Sequence, residues 1–201
     1  LGCLTLWGLA SGIFQNKREL MSDGAGHAVI AALQTFSHIE KVVIAAFAAL
    51  GSFANCKEQN KAILRDAGAG ETILKAMQKH RDNFEVSGSG CAALLELARD
   101  NTENKEHLVA AGAGDVILDF MTLYEKKGAE IGCWAVWELA SGVPDNKDAL
   151  VAAGAGEVIL SAIEYQMNQV KVVENGLGAI ASLAHGRAAN SGTLIKAGAG
   201  Q

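Results

Sequence analysis

Leu150-Val151-Ala152-Ala153-Gly154-Ala155-Gly156-Glu157-Val158-Ile159-Leu160 is one copy of a cassette that returns along the whole chain. Its Gly-Ala-Gly core recurs from Gly24, Gly68, Gly112 and Gly198, each time eight residues after an asparagine. Those asparagines are Asn16, Asn60, Asn104, Asn146 and Asn190, spaced by 44, 44, 42 and 44 residues. A period in this range marks an array of helical units, each too small to bury its own apolar face.

Composition narrows the function classes. Half of the 201 residues are hydrophobic and the formal net charge is −5, with no basic run longer than Lys126-Lys127. Binding to nucleic acid needs clustered Lys and Arg, so it is not expected. Insertion into a membrane is not expected either, since no apolar stretch approaches the ~20 residues a bilayer demands. The opening Leu1–Ala10 is apolar enough to suggest a signal peptide, but it has no basic leader. It aligns in register with Ile131–Ala140 and reads as one more piece of repeat. The division expected is a partial unit 1–15, repeats 16–59, 60–103, 104–145 and 146–189, and a partial unit 190–201. Both ends cut through a unit, so the expectation is a segment of a longer array or of a larger assembly.

Within a unit the asparagine is followed four residues later by leucine: Leu20, Leu64, Leu108, Leu150 and Leu194. Asparagine is a good N-cap, which predicts a short first helix beginning at that residue. The first glycine of Gly-Ala-Gly ends it, because glycine enters the left-handed conformation without steric penalty. A second helix follows, opened by Glu71, Asp115 or Glu157 in the first turn, with His27 at the remaining site. A carboxylate there suits the helix dipole. A longer, apolar third helix closes the unit, predicted at 39–54, 86–98, 130–140 and 170–184.

The third helix repeats a detail of its own. Gly2, Gly90, Gly132 and Gly176, with Ala46, occupy one slot fourteen residues before the asparagine. Glycine inside a helix costs roughly 1 kcal/mol relative to alanine, so close approach of a neighbouring helix is expected at that turn. Cys3, Cys91 and Cys133 share the next slot, and Cys56 stands alone in a connection. The four read as reduced packing residues of an intracellular protein, cytoplasmic or nuclear, and not as a disulfide or metal set.

These residues resemble the armadillo repeats: a short helix, Ala-Gly-Ala, a second helix, and a third helix ending in Leu-Ala, of which Cys133-Trp134-Ala135-Val136-Trp137-Glu138-Leu139-Ala140 is the clearest copy. The resemblance covers the whole chain and implies an all-α, right-handed α-solenoid of three-helix units. Gly-Glu or Gly-Asp replaces the family's frequent Ile-Pro, and the only proline is Pro144. Importin-α is similar in fold and carries Trp and Asn on each third helix. Here the Trp slot holds Leu4, Ala48, Ala92, Trp134 and Gly178, and the Asn slot holds Gly8, Ser52, Glu96, Glu138 and Ser182. A groove of the importin type is therefore not expected.

Stacked third helices spaced about 8–10 Å apart would line a trough roughly 40 Å long, enough for about a dozen residues of extended peptide. Periodicity turns Trp134, Glu138 and Ser141 away from the buried stripe, with Glu130 or Ile131 one turn earlier. The equivalent sets are Ala48, Ser52 and Asn55; Ala92, Glu96 and Arg99; and Glu174, Gly178, Ser182 and His185. This face is small, polar and mildly acidic. Trp134 either anchors a partner there or covers a seam between units, while Trp7 and Trp137 are expected to seal inter-unit contacts.

Nothing suggests catalysis, a cofactor or a metal. Gly-Ala-Gly before a helix lacks the later glycine of a dinucleotide fingerprint and the Gly-Lys-Ser/Thr of a P-loop. His27, His38, His80, His107 and His185 show no metal-ligand spacing and read as surface residues. The expected function is a non-catalytic scaffold or adaptor that binds another protein, through an extended segment with apolar and basic residues, along the third-helix face. The alternatives are a structural docking component of a large intracellular assembly, gripped on its convex side, and the regulatory repeat arm of a larger enzyme.

Overall fold

The computed structural model describes residues 14–55 and 58–200, with Gly2 and Gly8; Cys3, Leu4, Trp7 and Cys56 lie outside the described residues. Every regular element among them is a helix. The chain divides into two compact units, Leu1–His107 and Leu108–Gln201. The first holds α1 (Phe14–Ser22), α2 (Ala25–Thr35), α3 (Glu40–Ala54), α4 (Glu58–Asp66), α5 (Ala69–Lys79) and α6 (Phe84–Ala98). α7 (Thr102–Ala110) begins in the first and ends in the second. The second continues with α8 (Ala113–Leu123), α9 (Ala129–Ala140), α10 (Pro144–Ala152), α11 (Ala155–Tyr165), α12 (Val170–Ala184) and α13 (Ala188–Leu194), then Ile195–Ala199, kinked at Gly198 with φ of +116°.

The third helices α3, α6, α9 and α12 fall within two residues of their predicted bounds. α6 starts early because the Asn83 side chain accepts from the Val86 backbone N–H at 3.1 Å and caps the first turn. Ser87-Gly88-Ser89-Gly90 is accordingly helical. The predicted glycine turns are present: Gly24, Gly68, Gly112 and Gly154 have φ of +84, +77, +91 and +88°.

The repeat asparagine does something other than what its sequence position suggests. It lies inside the first helix, and its side chain points back to the helix before. Nδ2 of Asn60, Asn104, Asn146 and Asn190 donates to the carbonyl of Phe53, Leu97, Leu139 and Leu183 at 3.1, 2.9, 2.9 and 3.2 Å. Each acceptor is one of the last carbonyls of a third helix, which has no partner within its own helix. Each of these asparagines is at least 94% buried. The capping at the start of α7 belongs instead to Asn101, whose Oδ1 accepts from the Asn104 N–H at 2.7 Å.

The recurrent leucine and the second glycine prove to be partners. A Cβ on Gly26, Gly114 or Gly156 would lie 3.0, 2.9 or 2.7 Å from a methyl of Leu64, Leu150 or Leu194, the leucine of the following repeat. The glycine slot of the third helix has a similar reason. A Cβ on Gly90, Gly132 or Gly176 would come within 2.4, 2.2 or 2.7 Å of Met77, Met121 or Ile163 on the second helix of the same repeat. Third helices thus press onto second helices where only a hydrogen fits. Around these contacts Leu33, Phe47, Leu50 and Phe53 are fully buried in the first unit, as is Ile117 in the second. Cys91 and Cys133 are buried free thiols in the packing slot.

Candidate functional site: the exposed faces of the third helices

Within each unit two third helices lie side by side, α3 with α6 and α9 with α12. Gly51 makes the first pairing close: a Cβ there would be 3.5 Å from the Ala93 Cα. Every predicted site residue is exposed or half-buried, and none belongs to the core.

In the first unit the structure brings five of them together. Ala48, Ser52 and Asn55 from α3 and its C-cap, with Ala92 and Glu96 from α6, line one open groove of about 320 Å³. Lys17 and Ser89, which periodicity did not single out, complete it. Small side chains at Ala48, Gly51, Ala92 and Ala93 form its floor. Arg99, the remaining predicted residue there, is already engaged. Its guanidinium lies 3.2 Å from Glu96 Oε1, so the mildly acidic face carries a cation of its own. The other oxygen, Glu96 Oε2, is enclosed and accepts no hydrogen bond.

In the second unit α9 presents Glu130, Trp134, Glu138 and Ser141, and α12 presents Glu174, Gly178, Ser182 and His185. Trp134 is 39% exposed. Trp137 fills the seam, as expected. It lies over Gly178, where a Cβ would be 2.7 Å from the indole ring. Gly178 is therefore a seat for Trp137 as well as a surface position. Asn175 Nδ2 donates to the Glu130 carbonyl at 3.1 Å and ties the two helices further. Glu174 is paired with Lys171 at 2.9 Å, and this contact raises the Lys171 pKa above its ordinary value.

A set of buried lysines positions both faces. Lys17 and Lys147, each next to a repeat asparagine, donate through Nζ to the carbonyls of Asn55 and His185 at 3.1 and 2.9 Å. Lys61 donates in the same way to the Arg99 carbonyl. All three acceptors are C-cap residues of third helices and predicted site residues. A cation at a helix C-terminus meets the negative end of the dipole, so each lysine fixes where the next exposed face ends. The signal was visible in the sequence as lysine after four of the five repeat asparagines, with Ser191 in the last place.

Two histidines depart from the surface reading. His80 is half-buried and its Nε2 donates to the Ser37 carbonyl at 2.7 Å, linking successive second-helix ends. His107, also half-buried, contacts Glu71 at 2.7 Å. Among the described residues no group of three or more His, Cys, Asp or Glu could hold a metal ion. No helix among them is long and apolar enough to cross a membrane.

No known family profile matches the sequence, and no curated protein does. Solved structures do match. An engineered protein of the Northeast Structural Genomics Consortium superposes with a TM-score of 0.89 at 23% identity, over 98% of this chain and 77% of that one. Another from the same source gives 0.89 at 25% identity, over 98% and 79%. A designed armadillo repeat protein in complex with the peptide (KR)4 gives 0.88 at 24% identity, over 98% and 80%. The repeated three-helix units, the left-handed glycine between their first two helices and these likenesses together identify the fold of this chain as that of the armadillo repeat proteins.

Proposed function

We propose that this protein is a non-catalytic scaffold that binds an extended segment of another protein along the exposed faces of its third helices. The observation that carries the reading is the groove of the first unit. Its floor of alanine and glycine admits a backbone closely, and Glu96 places a carboxylate in its lining. Glu96 is half-buried, and its accessible edge offers a Lys or Arg side chain of the partner a carboxylate to pair with. In the second unit Trp134 beside Glu130 and Glu138 offers an aromatic face with carboxylates near it, a combination that suits a cation with an aliphatic stem. The designed armadillo protein whose partner is a lysine–arginine peptide supports the same ligand chemistry.

The test is fluorescence anisotropy with a labelled (KR)4 peptide. E96K and the double variant W134A/E138K should each weaken binding about tenfold or more, with helicity and thermal midpoint preserved. Unchanged affinity in both variants, or no binding by the parent protein, would overturn the reading.

A further inference from the structure

Between the second helices α8 and α11 lies an open cavity of about 210 Å³. Met121, Val158 and Ala162 make its floor, Tyr165 one wall, and the exposed Glu125 and Glu157 stand at its mouth. It shares no residue with the third-helix faces, and it lies between two complete repeats. The first unit shows how such a seam can close. There Gln34 Nε2 of α2 donates to Thr72 Oγ1 of α5 at 3.4 Å, and Lys79 Nζ donates to Ser37 Oγ at 3.1 Å. Glu71, in the first turn of α5, is taken by His107 at 2.7 Å. Counted from the repeat asparagines, the slots of these pairs hold Thr122 and Val158, Glu125 and Tyr165, and Glu157 and Thr193 in the second unit. Thr122 and Thr193 turn their hydroxyls back to their own helices, onto the carbonyls of Leu118 and Ala189 at 2.9 and 3.2 Å. Among the described residues the carboxylates of Glu125 and Glu157 take part in no hydrogen bond or ion pair. The links that span the first seam are missing from the second, and the cavity is the space they leave.

The exchange alters the charge of the seam as well as its shape. The slots of Lys75 and Lys79 hold Ser161 and Tyr165, and the slot of Ser37 holds Glu125. Two cations on long apolar stems are gone and a carboxylate has been added. The cation at the rim, Lys126, has its Nζ 5.8 Å from the Tyr165 ring centroid, so the electron-rich ring already receives a positive charge. Gln166 Nε2 donates to the Glu125 backbone carbonyl at 2.6 Å and fixes the residue that carries the carboxylate. The volume of about 210 Å³ falls below the roughly 300–1,000 Å³ of pockets that enclose a whole drug-sized ligand, and it suits one long side chain. We propose that this cavity is a docking site for an arginine side chain of a partner protein. The aliphatic stem lies on Met121, Val158 and Ala162, while the planar guanidinium stacks on Tyr165 and pairs with the carboxylates at the mouth.

Methyl NMR of the full chain, titrated with the capped tripeptide acetyl-Ala-Arg-Ala-amide, tests this. The Val158 and Ala162 methyls should shift and saturate, while those of Thr72 and Ala76, in the same slots of the first unit, stay still. A tripeptide with citrulline, the neutral isostere of arginine, should bind about tenfold more weakly or worse, and so should the arginine peptide to E125Q/E157Q. The variant T122Q/E125S/V158T/Y165K copies the seam of the first unit, so it should remain folded and no longer bind. E96K and W134A/E138K alter only the third-helix faces and should bind the tripeptide as the parent does, which separates this result from that of the (KR)4 titration. No saturable shift, equal binding of the citrulline peptide, or unchanged binding to the copied seam overturns the proposal. Free L-arginine binding about tenfold better than the capped peptide would mark a small-molecule site and overturn it as well.

Discussion

Lys147 Nζ donates to the His185 carbonyl at 2.9 Å, joining the first helix of one repeat to the C-terminus of the next third helix. The lysine is 94% buried, and its ammonium meets that carbonyl at the negative end of the helix dipole. Lys147→Met keeps the aliphatic stem and removes the donor. It should destabilise the protein by about 1–2 kcal/mol, measured by urea unfolding. Wild-type stability in that variant would show the contact to be incidental.

Asn146 performs the matching task toward the repeat before it, through its bond to the Leu139 carbonyl at 2.9 Å. Asn146→Asp replaces a donor with a carboxylate facing an acceptor in a buried place. It should cost more than Asn146→Ala, which loses about 1–2 kcal/mol. Chemical denaturation of the two variants side by side gives the ordering, and an N-cap role would reverse it.

Gly132→Ala would put a Cβ 2.2 Å from Met121 Cγ. The gain in helix propensity is about 1 kcal/mol, and overpacking typically costs about 1–3 kcal/mol, so net destabilisation is expected. Shortening the neighbour, in G132A/M121A, should recover part of the loss. A calorimetric midpoint for each variant decides it.

Asp100 has a φ of +54° in the turn where Gly142 and Gly186, at +77 and +71°, hold the same left-handed conformation. Asp100→Gly relieves that strain and should raise stability by up to about 1 kcal/mol, while Gly142→Ala should lower it by a similar amount. Among the described residues, nothing beyond its chain neighbours stands within 4 Å of a Cβ at Gly142, so its loss would come from the backbone.

Burial raises the Cys133 thiol pKa from 9.0 to about 12, and raises that of Cys91 well above the usual range. Both should resist alkylation at pH 8 in the native protein and react once it is unfolded, as read by peptide mass mapping. Above pH 9.0 the unfolded chain releases the Cys133 proton while the native state retains it until about 12. Stability should therefore fall as pH rises through that interval.

The residues by themselves determined the period, the three helices of each repeat, the left-handed glycines, the burial of Cys91 and Cys133 and the outward set from Ala48 to His185. All of these follow from local rules, since helical periodicity and the steric freedom of glycine act within a few residues of one another. Only the tertiary structure decided where Asn146 and Lys147 send their hydrogens, why Gly132 and Gly156 cannot carry a side chain, and that Arg99 holds one oxygen of Glu96. Apart from the asparagine's acceptor, seven residues back, these depend on partners from 3 to 38 residues away. Distance along the chain says nothing about such contacts until the helices have packed.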